Sequence, residues 1–514
     1  EALKFDAREA YLSEFSDGEE VEAEKVKAIQ VAYKESALFE FDLATEGLYE
    51  VLVHYQVANA NLLPTKVAFS INDEVPYREL KNILFENEWI TDEEVSYDRY
   101  GNEIAATPRK ELKWQEKAVM DGAYRYSDAL LLPFREGINT LELSVVEGEI
   151  AIASFELRKR NALPSYESQE VSGEEVLVIE GEAIHSRSDS SIRANGEYDV
   201  NLFPYSSTKK VLNILDGGSF KKSGQKVSYE VEVKKAGYYY LAMNYRQVDR
   251  VDYPVFVDVA INGEIPNEFL KNYPLGYGTK YQRKTLKTAN EPIAVYLEEG
   301  VSILSLTLSV EPMTASIEKV ETVMDEINAL ALEINKLTGG KADKYRDFDL
   351  ADYIPGVKEN LENWSSRLEE IYQELAVYSQ VEGTIGAFSS IKIAMASLDK
   401  LAQKPDELPA RMNEFSNGTT SVIQYLANTV QVIDNNILSI DRIYLFQEEE
   451  LLPKEKSIFV KFIEAIKRFF YSFMDQSYSV KNTSEDHLQV WVNRSRQYVE
   501  IMQKMVDENF SKET

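Results

Sequence analysis

The chain has no cysteine, and only three of its 514 residues are histidine: His54, His185 and His487. Without cysteine there are no disulfides, zinc–thiolate sites or thiol nucleophiles, a composition that fits the cytosol or a Gram-positive cell surface. Most hydrolytic triads and catalytic metal centres use histidine, so enzymes of those kinds are disfavoured. Glycosidases that act through a carboxylate pair stay open, because 87 residues are acidic.

Basic residues and long apolar runs are also scarce. The 56 Lys and Arg residues are outnumbered by 87 Asp and Glu residues, which gives a net charge of −31 spread along the chain. A protein that binds nucleic acid needs clustered Lys and Arg to neutralise phosphates, so no nucleic-acid partner is expected. No apolar run approaches the roughly 18 residues of a membrane-spanning helix. Because the chain opens at Glu1 without a Met, we expect a signal or anchor segment to precede it.

One pattern occurs twice, 190 residues apart. Residues 40–56 (EFDLATEGLYEVLVHYQ) align with 230–246 (EVEVKKAGYYYLAMNYR), and residues 64–82 align with 254–272, all without a gap. A repeat of this length indicates a duplicated module. Later stretches match at a shorter offset, 136–145 with 299–308, so the first copy should carry a 27-residue insertion near residues 85–120. We also align 153–157 (ASFEL) with 315–320 (ASIEKV) as the closing strand of each copy.

Each copy has the periodicity of β-strands. Phe39, Phe41 and Leu43 alternate with acidic residues, as in a strand with one buried face. Gly47 and Gly237 stand at the turn before a tyrosine-rich strand. Many short strands separated by turn residues predict two β-sandwich domains.

After about residue 322 the apolar period becomes helical. One stripe consists of Leu361, Trp364, Leu368, Ile371, Leu375 and Tyr378. A later stripe is rich in phenylalanine: Phe459, Phe462, Ile463, Ile466, Phe469, Phe470 and Phe473. The second stripe fits either a helix at a membrane surface or part of a helical core, and we adopt the core interpretation. An α-helical domain is therefore predicted.

The order of motifs in both copies resembles carbohydrate-binding modules of families 6 and 35, which have a galactose-binding-like, jelly-roll β-sandwich. In the second copy the motifs are Ile179–Glu182, Ala236–Tyr239, Ala260–Asn262 and Leu297–Gly300. In the first copy they are Val21–Glu24, Gly47–Tyr49, Ser70–Asn72 and Phe134–Asn139. The resemblance implies the sandwich fold, but this fold hosts many functions, so it says less about the ligand.

A second resemblance lies at the C-terminal end. Residues 487–514 read as a strand followed by a helix and resemble the mature start of extracellular solute-binding proteins of sugar ABC transporters. We expect the chain to be cut within that α/β, periplasmic-binding-protein-like domain. The predicted domains are sandwich 1 (1–160), a linker (161–175), sandwich 2 (176–322), a helical domain (323–480) and the truncated binding domain (481–514). The whole resembles large Gram-positive solute-binding lipoproteins, which implies a lipid anchor upstream.

The family resemblance also implies a structural calcium ion. In such modules the ion often lies between the Glu-x-Glu strand and an acidic residue of the closing strand. The matching positions are Glu180, Glu182 and Glu318, with Glu22, Glu24 and Glu156 in the first copy. Calcium takes six to eight oxygen ligands, which clustered carboxylates could supply. The alternative is that these are solvated glutamates on strands.

Sugar recognition needs aromatic side chains that stack on a pyranose, together with polar groups for its hydroxyls. The candidate carbohydrate-binding residues are Trp89, Tyr100, Trp114, Tyr273, Tyr277 and Tyr281, which fall outside the alternating strands. The alternative for each of them is an ordinary place in a sandwich core.

Together these features predict a non-catalytic, extracytoplasmic component of a sugar ABC importer, attached to a Gram-positive cell surface. Its expected partners are an oligo- or polysaccharide and, through the full-length protein, the permease subunits. Two alternatives remain open: the accessory carbohydrate-binding region of a glycoside hydrolase or polysaccharide lyase, and a surface adhesion or structural protein.

Overall fold

The computed structural model describes residues 2–23, 25–57, 62–91, 95–98, 100–340, 349–454 and 456–473, and beyond these residues 490, 499, 502, 505 and 506. It contains two β-sandwiches and a helical region, as the sequence predicts. We call the sandwiches module 1 (residues 2–158) and module 2 (residues 176–309 together with 439–446). Residues 161–175, the predicted linker, form no helix or strand.

Module 1 consists of two main antiparallel sheets. Its elements are β1 (Leu3–Asp6), α1 (Ala7–Ala10), β2 (Glu19–Ala23), β3 (Val26–Val31), β4 (Ser36–Leu43), β5 (Gly47–Val57), β6 (Thr65–Ile71), β7 (Ile83–Phe85), β8 (Glu88–Ile90), β9 (Ser96–Tyr97), β10 (Glu103–Ile104), β11 (Arg109–Glu111), β12 (Gln115–Ala118), β13 (Leu132–Phe134), β14 (Gly137–Glu147) and β15 (Ile150–Arg158). One sheet has the order β12-β5-β15-β3-β2, with β1 on β15 and β13 on β5, and the other has the order β4-β14-β6-β7. The core lies between these two sheets.

Module 2 repeats this architecture. Its strands are β16 (Val176–Glu180), β17 (Ser186–Arg187), β18 (Ala194–Asn195), β19 (Ile214–Leu215), β20 (Lys226–Val233), β21 (Gly237–Gln247), β22 (Val255–Ile261), β23 (Tyr273–Leu275), β24 (Gly278–Thr285), β25 (Ala294–Leu297), β26 (Gly300–Ser309) and β27 (Ser439–Phe446). Strands β4, β5, β6 and β7 begin and end 190 residues before β20, β21, β22 and β23, so the duplication is confirmed. The sheet orders are β11-β8-β17-β20-β26-β22-β23 and β18-β19-β27-β21-β24, with β16 on β27 and β25 on β21. Strands β8 and β11 come from module 1, so one sheet runs through both modules.

The closing strand of module 2 is not the one expected. Residues 315–320 lie in a helix, and the prediction that they form a strand is wrong. Strand β27 takes that place instead: Ile443 pairs with Met243 as Phe155 of β15 pairs with Val53 in module 1. The closing strand is therefore contributed by residues that follow the helical region.

The first strand of module 1 also differs from the expected alignment. Strand β1 pairs with β15 as β16 pairs with β27, which makes Asp6 the counterpart of Glu180. The motif Val21–Glu24 was assigned to this role wrongly, because Glu22 lies on the β2–β3 hairpin opposite Lys27.

The helical region is inserted between β26 and β27. Its helices are α2 (Glu311–Thr338), α3 (Leu350–Tyr353), α4 (Val357–Ala376), α5 (Ser389–Ala402) and α6 (Val422–Asp434). The predicted boundary at residue 322 falls inside α2. The helices share one apolar core, to which module 2 contributes Tyr253 and Phe256.

Arg250 joins the inserted helices to module 2. Its side chain is fully buried, and burial lowers its pKa to about 10. The guanidinium donates to the carbonyls of Pro254 (3.1 Å), Val432 (3.3 Å) and Ile433 and to Oδ1 of Asn436 (2.7 Å). One side chain therefore fixes the end of α6 against the turn after β21.

The phenylalanine stripe lies on α7 (Ile458–Ser472), which follows β27. Its side chains are exposed, Phe459 by 71% and Phe469 by 59%, so the core interpretation is wrong for the described residues. No helix among the described residues is long and apolar enough to cross a membrane. The predicted strand at 487–493 and the helical face beyond it lie, apart from isolated residues, outside the described part of the chain.

Candidate functional site

A cleft of about 370 Å³ lies on the outward face of the β24-β21-β27 sheet of module 2. Alternate residues of a strand point to opposite faces, so Met243 and Ile443 enter the core while Asn244 and Arg442 face outward. Asn244 is paired with Arg283 on one side and with Arg442 on the other. The register therefore sets an amide between two guanidinium groups on neighbouring strands.

Two segments form the walls of this cleft. The loop between β18 and β19 contributes Phe203, whose side chain is 52% exposed and lies under the guanidinium of Arg442 at 5.3 Å. The segment after β27 contributes Pro453, whose carbonyl accepts from Arg283, and Lys456, which lies 5.1 Å from the ring of Tyr205. An aromatic ring and cationic groups thus surround the floor.

A buried carboxylate holds the floor and one wall together. Asp441 occupies a bulge in β27, because Ile440 pairs with Tyr245 while Arg442 pairs with Asn244. Its Oδ1 accepts from the backbone N–H of Phe203 (3.0 Å), and its Oδ2 accepts from Asn244 Nδ2 (2.7 Å) and Arg442 Nε (3.1 Å). Burial raises the pKa of Asp441, although Arg442 and these hydrogen bonds act in the opposite direction.

Tyr281 stands at one end of the cleft. Its ring lies 4.6 Å from the guanidinium of Arg246, which in turn forms a bidentate ion pair with Glu197. Burial raises the pKa of the Tyr281 hydroxyl, so the group stays protonated near neutral pH. Tyr281 therefore offers a fixed aromatic surface.

The cleft is lined by Asn201, Leu202, Phe203, Asn244, Tyr281, Arg283, Arg442, Tyr444, Pro453, Lys454 and Lys456. Four of these residues are cationic and, among the lining residues that the structure describes, none is acidic. The whole chain has a net charge of −31. The cleft is therefore a cationic region on a protein whose net charge is strongly negative.

Of the six predicted aromatic residues, only Tyr281 lies in this cleft. Trp89 is buried on β8 opposite Arg187, and Tyr100 lies beside the small β9–β10 sheet of module 1. Trp114 packs on His54 with ring centroids 5.1 Å apart. The structure does not bring these three together with Tyr281.

The other two tyrosines contact neighbouring segments. The hydroxyl of Tyr273 accepts from the backbone N–H of Lys287 (2.9 Å). The backbone N–H of Tyr277 donates to Oε1 of Gln380 in the helical insertion (2.6 Å). Sequence reasoning missed Asn244, Arg283 and Arg442. Of these three, only Asn244 is flanked on both sides by apolar or aromatic residues, Met243 and Tyr245, so alternation could have indicated it alone.

The predicted calcium ligands do not come together. Glu318 lies on α2, where its Oε1 accepts from the hydroxyl of Tyr126 (2.8 Å). Among the described residues, no three carboxylate, histidine or cysteine side chains lie close enough to hold a metal ion. Glu182 instead lies near Asp441, and burial, with a contribution from Glu180 and Asp441, raises its pKa to about 9. In the absence of a metal ion, burial therefore favours the protonated form of this carboxyl.

The helical insertion is similar to a known family of domains. Residues 315–433 match the family model described as the bacterial solute-binding protein, 4-helix bundle domain. The matched residues run from within α2 to within α6. A comparison with curated proteins gave no match.

Several solved structures are similar to parts of the chain. The family 35 carbohydrate-binding module of Abf62 from Cellvibrio japonicus is 14% identical, with 31% of this chain and 95% of that chain covered and a TM-score of 0.21. A family 35 module from Clostridium thermocellum is 10% identical, with 30% and 97% covered and a TM-score of 0.17. A Paenibacillus xanthan lyase is 13% identical, with 60% of this chain but only 25% of the lyase covered and a TM-score of 0.18. At these TM-scores the likenesses add nothing to what the strand register shows.

Proposed function

We propose that this chain is a non-catalytic carbohydrate-binding component of a sugar importer, and that the module 2 cleft is its glycan-binding surface. The proposal rests on one observation: the cleft combines exposed and half-buried aromatic rings with an amide and a guanidinium, those of Asn244 and Arg442, that Asp441 holds in place. Rings of this kind stack on the C–H face of a pyranose, and fixed donors bind its hydroxyls.

The match of the insertion to a solute-binding protein domain supports the importer role. It favours that role over the accessory region of a hydrolase or lyase and over a surface adhesin. In this proposal the protein works outside the cytoplasm, attached to a Gram-positive cell by a lipid anchor, and delivers sugar to ABC permease subunits.

The charge of the cleft suggests the class of sugar. Arg283, Arg442, Lys454 and Lys456 face it without an acidic residue among the described lining residues. Guanidinium groups bind carboxylates and sulfates through paired, charge-assisted hydrogen bonds. We therefore propose that the ligand is an acidic oligosaccharide.

Calorimetric titration of the full chain tests this proposal. Oligogalacturonate and a sulfated oligosaccharide should bind, and cello- and manno-oligosaccharides of equal length should bind more weakly. Arg442→Met should lower the affinity for the acidic ligands about 10- to 100-fold, because a hydrogen bond to a charged group contributes about 1.5–3 kcal/mol.

Arg135→Met in module 1 is the matched control, because it removes the same charge from an exposed side chain. It should leave the affinity unchanged. The proposed function fails if none of these glycans binds, and release of reducing sugar by the purified chain would contradict the non-catalytic role.

A further inference from the structure

A second cleft lies between the two modules, on the opposite sheet of module 2. It encloses about 360 Å³, within the range of small-molecule sites. The walls come from β12 and the loop at 120–127 in module 1 and from β17, β20, β22 and β26 in module 2.

The two walls are held rigidly relative to each other. Strand β8 of module 1 pairs with β17 of module 2, Ile90 opposite Ser186 and Trp89 opposite Arg187. On the other side, Arg125 forms a bidentate ion pair with Glu321 of α2 at 2.6 and 2.7 Å. The cleft is therefore a fixed cavity and not a gap between loosely linked domains.

The module 2 wall is polar although it is buried. Ser186, Ser228 and Ser305 lie side by side on three neighbouring strands, each no more than 5% exposed. Asp258, 8% exposed, lies on the adjacent strand β22, where it accepts from the backbone N–H of Asn272 (2.7 Å). Surfaces that pack directly against another module are usually apolar at their centre, so this wall is suited to a polar occupant.

The module 1 wall offers a matching set of groups. Lys117 donates to Glu86 Oε2 (2.5 Å), to the carbonyl of Leu84 (2.7 Å) and to the hydroxyl of Tyr124 (2.8 Å). The other oxygen of Glu86, Oε1, is buried and has no partner among the described residues. A buried acceptor without a partner is rare in a folded protein, which points to a donor other than the residues that the structure describes.

We infer that the intermodule cleft is a separate binding site for a small neutral polyol of mono- or disaccharide size. The four acidic and three basic side chains along it nearly balance, unlike the cationic cleft of module 2. A sugar hydroxyl both donates and accepts, so it suits the serine hydroxyls and the carboxylates of Glu86 and Asp258 equally.

Filling the cavity tests the inference without removing any of these hydrogen bonds. Ala260 lies on β22 two residues after Asp258 and lines the cleft, so Ala260→Phe should occupy the space. Ala68→Phe is the matched control, because Ala68 stands on the corresponding strand β6 of module 1. Asp258→Asn, which keeps the shape of the side chain, is the second variant should Ala260→Phe fail to fold.

The probes are glucose, galactose, mannose, maltose and cellobiose, measured on the full chain by calorimetry and by saturation-transfer NMR. At least one probe should bind the wild type and Ala68→Phe with equal affinity. Its association constant should fall at least tenfold in Ala260→Phe and in Asp258→Asn, and should be unchanged in Arg442→Met.

Two results would overturn the inference. If no probe binds, water alone fills the cleft, as it does in many polar cavities. If binding is lost in Arg442→Met and kept in Ala260→Phe, the sugar occupies the module 2 cleft, which would support the proposed function while removing the second site.

Discussion

Modules 1 and 2 share one architecture, but the same outward face of the equivalent sheet carries different side chains in each. Strand register shows which residues of the two modules occupy equivalent positions. Strands β5 and β21 are 190 residues apart and pair with β12 and β24 in the same way. The residues that correspond are Glu116 and Arg283, His54 and Asn244, Ala153 and Asp441, and Ser154 and Arg442. Trp114 and Tyr281 each lie one residue before the equivalent pairs Gln115–Tyr55 and Gln282–Tyr245. An aromatic residue is kept at one end, whereas the guanidinium groups and their supporting carboxylate occur only in module 2.

The walls around these two faces differ because the connections between corresponding strands differ in length. In module 1 only two residues separate β2 from β3 in the sequence. Val21, Val26, Ala28 and Ala151 form an apolar cluster with Trp114. In module 2 the corresponding strands β18 and β19 are separated by residues 196–213, the loop that carries Phe203. The comparison shows that a sandwich can keep its core register while one loop and one bulge residue decide whether its face forms a cleft.

The largest expected effect concerns the insertion that only module 2 has. Arg250→Met removes a buried donor group and leaves the acceptors Pro254, Val432, Ile433 and Asn436 without it. We expect the free energy of unfolding to fall by about 3 kcal/mol or more, because each buried acceptor left unpaired costs about 1–3 kcal/mol. Thermal melting should show module 2 and the helices unfolding at a lower temperature while module 1 is little changed.

The control for that variant is Arg135→Met, an exposed change in module 1 that should alter stability by no more than about 0.5 kcal/mol. Equal melting temperatures for wild type and Arg250→Met would show that the attachment of the insertion does not depend on this side chain.

A smaller effect is expected from the two corresponding aromatic residues. Tyr281→Ala should weaken acidic-oligosaccharide binding about tenfold, because a stacked ring contributes about 0.5–1.5 kcal/mol beyond its buried area. Trp114→Ala should not change it, since Trp114 packs within module 1. Calorimetric titration of both variants with an acidic oligosaccharide checks this. If Trp114→Ala bound more weakly than Tyr281→Ala, the binding face would lie on module 1 and our assignment would be wrong.

The sequence predicts the repeated part of the fold well because its signals are local. Alternation of apolar residues and a constant offset identify β4 to β7 and β20 to β23 without knowledge of the tertiary structure. The closing strand escaped because the helical insertion separates it from β26, while 315–320 happens to match 153–157 in composition. A local similarity could not show that the closing strand begins only at Ser439, well beyond residues 315–320.

The site was only partly predictable for a related reason. Tyr281 could be chosen for its residue type, but Asn244 and Arg442 meet only through the pairing of β21 with β27. That pairing joins residues nearly 200 positions apart. The phenylalanine stripe shows the same limit, because helical periodicity identifies an apolar face and does not say what covers it.

The last expected effect depends on pH and concerns the carboxyl group that lies beside Asp441. Burial raises the pKa of Glu182 to about 9, so in the folded chain it stays protonated at a pH where the unfolded chain ionises it. Stability therefore falls as pH rises from about 4.5 towards 9, because the unfolded state gains from ionisation first. Glu182→Gln removes this penalty, and its melting temperature should exceed that of the wild type at pH 8 but not at pH 4. The raised pKa corresponds to at most about 1.4 kcal/mol for each pH unit above 4.5, so the difference in melting temperature should grow steadily from pH 5 to pH 8.

Glu22→Gln, on the exposed β2 strand of module 1, is the control and should melt like the wild type at both pH values. If Glu182 instead bound the calcium ion implied by the sequence resemblance, Glu182→Gln would have the opposite effect on the melting temperature. A metal ligand must be ionised, so calcium would raise the melting temperature of the wild type and chelator would lower it, and Glu182→Gln would lose that response. If the variant were less stable than the wild type in calcium at pH 8, the carboxyl of Glu182 would be a metal ligand after all, with Asp441 rather than Glu318 beside it.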